Sequence, residues 1–230
     1  MAVTPVLRLV VARHGVPAGA PTRAGCDGCG LPIRLGRPGL GPAARCPACG
    51  ARVGAPPGSV ELAVLAALAV LALADATLAE RAALAWWLGW AVPLALVDLA
   101  VHRLPDRFTW PAAAGTAALL GVAALTGPGP TPWLRAMTAG AGLGLAFAAT
   151  TLLLGRRGFG LGDAKLALSV GVLLGWYGWP VLVAGLLLTF ALSAVVSLGL
   201  LLARRVSWSS HLPFGPFLIL GTCTAHLLPT

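Results

Sequence analysis

The chain has 230 residues, of which 58% are hydrophobic and only 10% carry a charged side chain, whereas about 25% are charged in an average soluble domain. This composition and a mean hydropathy of +0.88 exclude an ordinary soluble enzyme and a disordered chain, and they place most of the protein in lipid. The net charge is +9. In a membrane protein, such a basic excess marks cytoplasmic loops more often than a nucleic-acid-binding face.

The amino-acid composition changes near residue 59. Residues 1–58 contain seven arginines and two pairs of cysteines, but no apolar run that is long enough to cross a membrane. Residues 59–230 are almost continuously apolar. We therefore predict a small cytoplasmic segment over 1–58 and a membrane domain over 59–230.

Short polar or Gly/Pro-rich joints divide the apolar region. Because a spanning helix needs about 20 apolar residues, the joints predict an all-α bundle of about seven transmembrane helices. These are expected at 60–79, 82–101, 109–126, 134–154, 163–177, 180–202 and 213–229. With the N-terminus inside, 14 of the 16 Lys and Arg residues fall on the cytoplasmic side, as the positive-inside rule expects. We expect a multi-pass protein of the cell (inner) membrane with a cytoplasmic N-terminus.

Four cysteines predict a metal site in the N-terminal segment. Cys26-x2-Cys29 and Cys46-x2-Cys49 are separated by 16 residues, and two such turns can close a tetrahedral zinc site of four thiolates. Such a site has no open position, so a structural zinc is expected in a ribbon-like segment; four unligated thiols are the alternative. The nearby arginines also fit a nucleic-acid-binding ribbon. However, residues 1–58 contain no Trp, Tyr or Phe, and we expect no nucleic-acid partner.

Two aspartates differ from the other acidic residues because they lie in apolar surroundings. Asp98 occurs in the apolar run 94–101, and Asp163 follows the glycine-rich stretch 158–162 at the start of a helix. An ionisable group within a membrane helix is by default a functional hypothesis. The alternatives are a buried, hydrogen-bonded carboxylate at Asp98 and a simple N-cap at Asp163. Both residues lie near the cytoplasmic ends of their predicted helices, and therefore at one membrane depth.

Two carboxylates at one depth form a catalytic pair if the fold brings them together. They cannot both ionise easily, so one would act as general base towards water and the other as general acid towards the leaving group. Such a pair cleaves peptide bonds without a metal. The glycines before Asp163 would allow an extended substrate to approach closely. A phosphate-binding loop is a weaker interpretation, because the Lys-Ser/Thr ending of such loops is missing.

Local roles are expected for three other acidic residues. Glu80 adjoins Arg81 and predicts a surface ion pair in an outer turn. Glu61 opens the first predicted span, where a carboxylate suits the helix dipole. Asp106 ends a Leu-Pro-Asp sequence that is typical of a turn.

Four stretches, in this order, resemble the type IV prepilin peptidases, a family of membrane aspartyl peptidases. The paired cysteines resemble the family's zinc-binding loop, and Val97-Asp98-Leu99 with 103–106 resembles its first-aspartate segment. Residues 158–166 resemble its glycine-aspartate motif, and 212–218 resemble its C-terminal Pro-Phe-Gly-Pro segment.

The resemblance implies that Asp98 and Asp163 are the catalytic pair and that Lys165 flanks them. We expect Gly160, Gly162 and Lys165 to bind the substrate. The resemblance implies that the substrates are prepilins or type II secretion pseudopilins, whose basic leader is cut at the cytoplasmic membrane face, commonly between Gly and Phe. Many members then methylate the new N-terminus, so S-adenosylmethionine is implied only if that activity is retained. Longer members carry one more membrane helix before the cysteine loop. We predict none here, which accounts for seven spans instead of eight.

Two other classes of protein stay open at this point. A transporter or channel would use the intramembrane aspartates as proton or cation sites, and it would give the Pro-Phe-Gly-Pro segment no special role. A catalytically inactive membrane scaffold around the zinc segment would leave the two aspartates without a role.

Overall fold

The computed structural model describes residues 3–17, 19–35, 40–155, 159–207 and 212–228. This part of the chain is helical apart from its loops, the cysteine segment and two isolated β-bridges. Its helices are α1 (Val3–His14), α2 (Ser59–Leu73), α3 (Leu78–Val101), α4 (Asp106–Thr126), α5 (Pro130–Leu154), α6 (Leu161–Tyr177), α7 (Trp179–Leu202) and α8 (Gly215–His226).

The structure confirms a helix at each of the seven predicted positions. Four of them, α3, α4, α5 and α7, are long and apolar enough to cross a membrane. The other three, α2, α6 and α8, have 15, 17 and 12 residues. α2 ends at Leu73 rather than at 79 because the backbone of Ala74 is extended, and the Arg81 guanidinium donates to the carbonyls of Ala74 and Ala76.

An additional helix, α1, precedes the cysteine segment. Arg8 interrupts its apolar run, and the sequence therefore predicts no span there. In the fold Arg8 is only 3% exposed, and its guanidinium binds the carboxylate of Glu61 in α2 and the carbonyl of Pro42. Glu61 is indeed in the first turn of its helix, as expected, but it also has a buried cationic partner. This ion pair fastens α1 to α2.

Helix α1 also joins the cysteine segment to the bundle. Val11 lies in an apolar cluster with Val97 of α3, while Ala12 next to it lies in a second cluster with Cys26 and Cys46. The N-terminal segment is therefore packed onto the membrane domain through both faces of one short helix.

The centre of the bundle is α6, which packs against α4, α5, α7 and α8. Its backbone touches that of α5: a methyl group added at Gly171 would lie 2.7 Å from the carbonyl oxygen of Ala139. Small residues allow such close helix packing in membranes. A hydrogen bond from the indole of Trp87 to the hydroxyl of Ser169 (3.0 Å) ties α3 to α6 in the interior. These contacts fix α3 and α5 against α6 in the interior of the bundle.

Candidate active site and metal site

Asp98 lies one turn before the C-terminal end of α3 and is only 4% exposed. Its Oδ2 accepts a hydrogen bond from the backbone N–H of Gly215, the first residue of α8, at 3.0 Å. A methyl group at Gly215 would lie 2.8 Å from that same oxygen. The glycine therefore allows the α8 backbone to reach the carboxylate, and one carboxylate oxygen is held in place by a part of the chain that is 117 residues away.

Asp163 lies in the first turn of α6 and is half-buried. Its Oδ2 accepts a hydrogen bond from the backbone N–H of Gly160 at 3.0 Å. Asp163 is thus the third residue of α6, whereas the N-cap position is occupied by Gly160. The carboxylate still satisfies one of the free N–H groups at the helix start.

The two aspartates, 65 residues apart in sequence, are brought together at this end of the bundle. Leu104, in the link between α3 and α4, lies between the segments that hold them: a methyl group at Gly162 would be 2.9 Å from its Cβ, and one at Gly215 would be 3.4 Å from its Cδ2. The α3 end, the 160–163 turn and the start of α8 therefore surround one site.

Lys165, near this site, forms an ion pair with Asp106. Its Nζ donates to Oδ1 of Asp106 at 2.6 Å, and the two side chains are 30% and 61% exposed. Asp106, expected in a turn, follows that turn and begins α4. The ion pair therefore joins the start of α4 to the start of α6.

Four phenylalanine rings pack together next to the carboxylates. Phe159 precedes the glycine that holds Asp163, and Phe214 precedes the glycine that holds Asp98; their ring centroids are 4.7 Å apart. Phe147 and Phe190 complete the group. These contacts join the two motif segments, 159–163 and 214–216. The sequence contained the signal for Gly215, in the Pro-Phe-Gly-Pro stretch, but not its bond to Asp98. Gly158, the first residue of the glycine-rich stretch 158–162, lies outside the described residues.

The four paired cysteines form one cluster, as predicted. Their Sγ atoms all lie within 4.8 Å of one another, with Cys26–Cys49 at 3.6 Å and Cys29–Cys46 at 3.5 Å. A tetrahedral metal with bonds of about 2.3 Å to sulfur separates its ligands by about 3.8 Å. The backbone N–H groups of Cys49 and Ala48 lower the pKa of the Cys46 thiol to about 6, which makes it the first of these thiols to form the thiolate that binds metals. The backbone of Ala51 lowers the pKa of Cys49, but the neighbouring thiols outweigh it and raise that pKa to about 12. The donor set therefore fits a metal ion.

The two cysteine turns repeat the same backbone hydrogen bonds 20 positions apart. In the first turn the N–H of Cys26 donates to the carbonyl of Leu31, and the N–H of Gly30 donates back to Cys26. In the second, Cys46 pairs with Ala51, and Gly50 donates back to Cys46 in the same way. Gly30 and Gly50 both have φ of +70°, which few other residues tolerate. Each turn thus sets the positions of its own two thiols.

The predicted surface pair of Glu80 and Arg81 is wrong. Oε1 of Glu80 accepts a hydrogen bond from the indole of Trp176 at 2.6 Å, and its Oε2 accepts the backbone N–H of Thr77 at the start of α3. Arg81 binds backbone carbonyls instead. Adjacency in sequence is a poor guide here, because consecutive residues of a helix point in different directions.

Comparison with known proteins finds one family. The profile of the type IV leader peptidase family matches residues 82–203, a range that contains both aspartates. No solved structure matches the chain.

Curated relatives carry the name prepilin leader peptidase/N-methyltransferase. The proteins of Aeromonas salmonicida (strain A449) and Aeromonas hydrophila are each 33% identical to the chain over 179 residues, which is 77% of this chain and 60% of theirs. That of Burkholderia pseudomallei (strain 1026b) is 32% identical over 214 residues, 86% of this chain and 65% of its own. The chain therefore spans somewhat less than two thirds of the length of these relatives.

Proposed function

The chain belongs to the type IV leader peptidase family, and we propose that it is a membrane aspartyl endopeptidase that removes the basic leader of prepilins or pseudopilins. The observation that carries the proposal is the meeting of Asp98 and Asp163. Each carboxylate has one oxygen held by a backbone N–H, from Gly215 and Gly160 respectively. The alternative function as a transporter has no observation in its favour.

Among the described residues, no hydrogen-bond partner is seen at the other oxygen of either carboxylate, and we propose that these oxygens carry out the chemistry. In the proposed mechanism the pair carries one proton, and the ionised aspartate takes a proton from a water molecule as the water oxygen attacks the scissile carbonyl carbon. The protonated aspartate then gives its proton to the peptide nitrogen as the C–N bond breaks. The products are a leader with a free carboxylate and a pilin with a free amine.

Three further residues are proposed to position the substrate. Gly160 leaves the backbone beside the Asp163 carboxylate without a side chain, so an extended peptide can come close to Asp163. The space beside Gly162 is taken by Leu104, so this glycine would contact the peptide only through its backbone. The ammonium of Lys165 has three donors and uses one on Asp106. The others are available for carbonyl oxygens of a bound peptide.

We place the active end of the bundle at the cytoplasmic face of the inner membrane. The Lys and Arg residues that the positive-inside rule counts lie mostly in residues 1–58 and in the links that adjoin Asp98 and Asp163. The substrate would thus present its leader on the side on which it is made. The division into a cytoplasmic segment, 1–58, and a membrane peptidase domain, 59–230, is part of this proposal.

The four-cysteine cluster is proposed to hold a structural zinc ion. Its four ligands would leave no position for water or substrate, so the ion would stabilise the two turns and take no part in cleavage. N-methylation, the second activity in the name of the relatives, requires S-adenosylmethionine. The chain would need a separate site for that cofactor, and we do not include methylation in the proposal.

The test is a cleavage assay in membranes with a co-expressed prepilin. Asn in place of Asp98 or Asp163 keeps an oxygen that can accept the glycine N–H, but it cannot exchange a proton. We expect each variant to lose about 10²- to 10⁴-fold in cleavage rate. Asp106→Asn is the matched control, because it removes a carboxylate at the same end of the bundle and should keep near-normal cleavage.

The mass of the pilin product reports the bond that is cut and shows whether a methyl group has been added. If Asp98→Asn and Asp163→Asn both cleave at the rate of the unaltered chain, the carboxylate mechanism is wrong. If the unaltered chain leaves every prepilin intact, the proposed activity is wrong.

A further inference from the structure

Thr151 lies in the last turn of α5, beside the segment that precedes α6. Its hydroxyl donates a hydrogen bond to the backbone carbonyl of Phe159, with the two oxygens 2.5 Å apart. The carbonyl of Phe147 is a second acceptor at 3.0 Å, but that carbonyl already accepts the Thr150 hydroxyl at 2.7 Å. A hydroxyl has one hydrogen to donate, and the nearer oxygen, that of Phe159, receives it. The end of α5 is therefore joined to the backbone before α6.

The same peptide group binds a catalytic carboxylate at its other side. The N–H of Gly160 belongs to the peptide that carries the Phe159 carbonyl, and it donates to Oδ2 of Asp163 at 3.0 Å. In a planar trans peptide the C=O and the N–H point in opposite directions. Thr151 and Asp163 therefore bind the two ends of one peptide group, and the direction of the carbonyl fixes the direction of the N–H.

The glycine at this peptide makes the support from Thr151 necessary. Because Gly160 has no Cβ, the peptide before it can rotate at little steric cost, and its N–H would then point away from Asp163. The hydrogen bond from Thr151 opposes that rotation. Donation to the carbonyl also polarises the peptide, which strengthens the bond from its N–H to the carboxylate.

The peptide that binds the other aspartate is held in the same way, but by a backbone group. The carbonyl of Phe214 accepts the N–H of Leu218, one turn further along α8, at 3.1 Å, while the N–H of Gly215 donates to Asp98. Each carboxylate thus meets a Phe-Gly peptide whose carbonyl is fixed by a second donor. In α8 that donor belongs to the helix itself, whereas before α6 it is the side chain of Thr151, which a single substitution removes.

We propose that Thr151 is a positioning residue of the peptidase, and that its hydroxyl aims the Gly160 N–H at Asp163. The inference rests on the proposed function and adds a residue of α5, outside the four stretches that carry the sequence motifs. The hydroxyl faces a carbonyl of the chain itself rather than a bound peptide. Its loss should therefore lower kcat and leave KM nearly unchanged.

The pair Thr151→Ser and Thr151→Ala tests the hydroxyl, because the two variants differ by one oxygen atom. With the full chain in detergent and a prepilin as substrate, we expect Thr151→Ala to lower kcat about tenfold, the contribution of one hydrogen bond, and to keep KM within about twofold. Thr151→Ser keeps the donor and should keep kcat within about twofold. Thr150→Ala is the matched control, since it removes the neighbouring hydroxyl, which binds the Phe147 carbonyl instead, and kcat should be retained. Equal kcat values for Thr151→Ala and Thr151→Ser would overturn the proposal.

The N–H that Thr151 orients can also be observed directly. Of the six phenylalanines only Phe159 and Phe214 are followed by glycine, so isotopic labelling of phenylalanine carbonyl carbons and glycine nitrogens selects two amide signals in an NMR spectrum, those of Gly160 and Gly215. We expect Thr151→Ala to move the Gly160 signal and Thr151→Ser to keep it near its original position, with the Gly215 signal in place in both. A Gly160 signal that stays in place in Thr151→Ala would overturn the proposal. An equal movement of both signals would also overturn it, because it would show a general change of the fold.

The two measurements separate this inference from the proposed function. If the unaltered chain cleaves prepilins and Thr151→Ala cleaves them equally well, the positioning role fails while the peptidase activity stands. If the unaltered chain cleaves no prepilin, the proposed function fails, and the role of Thr151 in cleavage fails with it. A lower kcat and a moved Gly160 signal in Thr151→Ala, both restored in Thr151→Ser, support the inference.

Discussion

The cysteine cluster and the aspartate pair are held by contacts of different range. Each cysteine turn is closed by hydrogen bonds within five residues, such as that from the N–H of Cys26 to the carbonyl of Leu31. Asp98 depends on Gly215, 117 residues further along the chain. The thiols therefore need only two short turns to be in place, whereas the carboxylates need α3, α6 and α8 to be packed together.

This difference predicts how each site responds to a substitution at its supporting residues. A change at the contact between α3 and α8 should disable the carboxylates without affecting the cysteines. A change at the cysteines should release a metal and loosen the N-terminal segment, while the membrane helices stay packed. Helix α1 contacts both the cysteine segment and α3. Its contacts therefore determine how strongly a substitution in one region disturbs the structure of the other.

The largest effect is expected from Gly215→Ala. The added methyl group would lie 2.8 Å from Oδ2 of Asp98, so either the carboxylate or the start of α8 must move. Displacement of a reacting group by about 1 Å costs on the order of 10²-fold in rate, and we expect a loss of that size in kcat/KM for prepilin cleavage, with the metal content unchanged. Gly142→Ala is the matched control, because no atom lies within 4 Å of the added group. Equal cleavage by the two variants would show that the Gly215 contact does not position Asp98.

A second test breaks the other site. Cys46→Ser removes one of the four thiols, and we expect the purified chain to lose the zinc that we propose for this cluster, which mass spectrometry of the metal measures directly. Limited proteolysis should then cut within residues 19–35 and 40–55. Because the aspartates are held by the membrane helices, cleavage should fall by less than about tenfold, in contrast to the loss expected for Gly215→Ala. Cys223→Ser, which removes the cysteine outside the cluster, should keep the metal. A loss of cleavage as large as that of Gly215→Ala would contradict the independence of the two sites.

A third test concerns the ion pair that joins the two regions. Arg8 is 3% exposed and its partner Glu61 is 27% exposed, and removal of one member of a buried pair costs about 3–5 kcal/mol. The partial exposure of Glu61 reduces this, and we expect Arg8→Met to lower the free energy of unfolding by about 1–3 kcal/mol, measured by denaturation in detergent. The double variant Arg8→Met, Glu61→Met should recover part of the loss, since it leaves no unpaired charge. If the double variant is less stable than Arg8→Met alone, the loss in free energy of unfolding does not come from the unpaired carboxylate of Glu61.

The sequence separation of these contacts also explains which structural features could be predicted from the sequence. The lengths of the apolar runs predicted α2 to α8, and the spacing of the cysteines predicted their cluster, because both signals are local. Helix α1 was missed because Arg8 interrupts its apolar run, and the groups that compensate this buried arginine, the Glu61 carboxylate and the Pro42 carbonyl, are distant in sequence. The pairing of Glu80 with Arg81 was wrong for two reasons. One partner of Glu80, Trp176, is 96 residues away, and the other, Thr77, forms a local capping box with it at the start of α3.

For the aspartates, one part of the arrangement has a local sequence signal and another part depends on distant contacts. Their apolar surroundings identified Asp98 and Asp163 from the sequence, and the motifs suggested that they work together. No local pattern gives the glycine N–H that holds Asp98, because that contact depends on how α8 packs against α3. The residues that we propose for the site could therefore be named from the sequence, whereas the hydrogen bonds that orient them could not.

The smallest effect is expected at the Lys165–Asp106 pair, which lies at the carboxylate end of the bundle but close to solvent. Both side chains are partly exposed, so the pair contributes less than about 1 kcal/mol to stability, and neither Lys165→Met nor Asp106→Asn should shift unfolding by more. The two variants should differ in KM. If the ammonium contacts the substrate, Lys165→Met raises KM about threefold to tenfold, the contribution of one hydrogen bond. Asp106→Asn keeps the ammonium and should leave KM within about twofold. Equal KM values for the two variants would restrict Lys165 to joining α4 and α6.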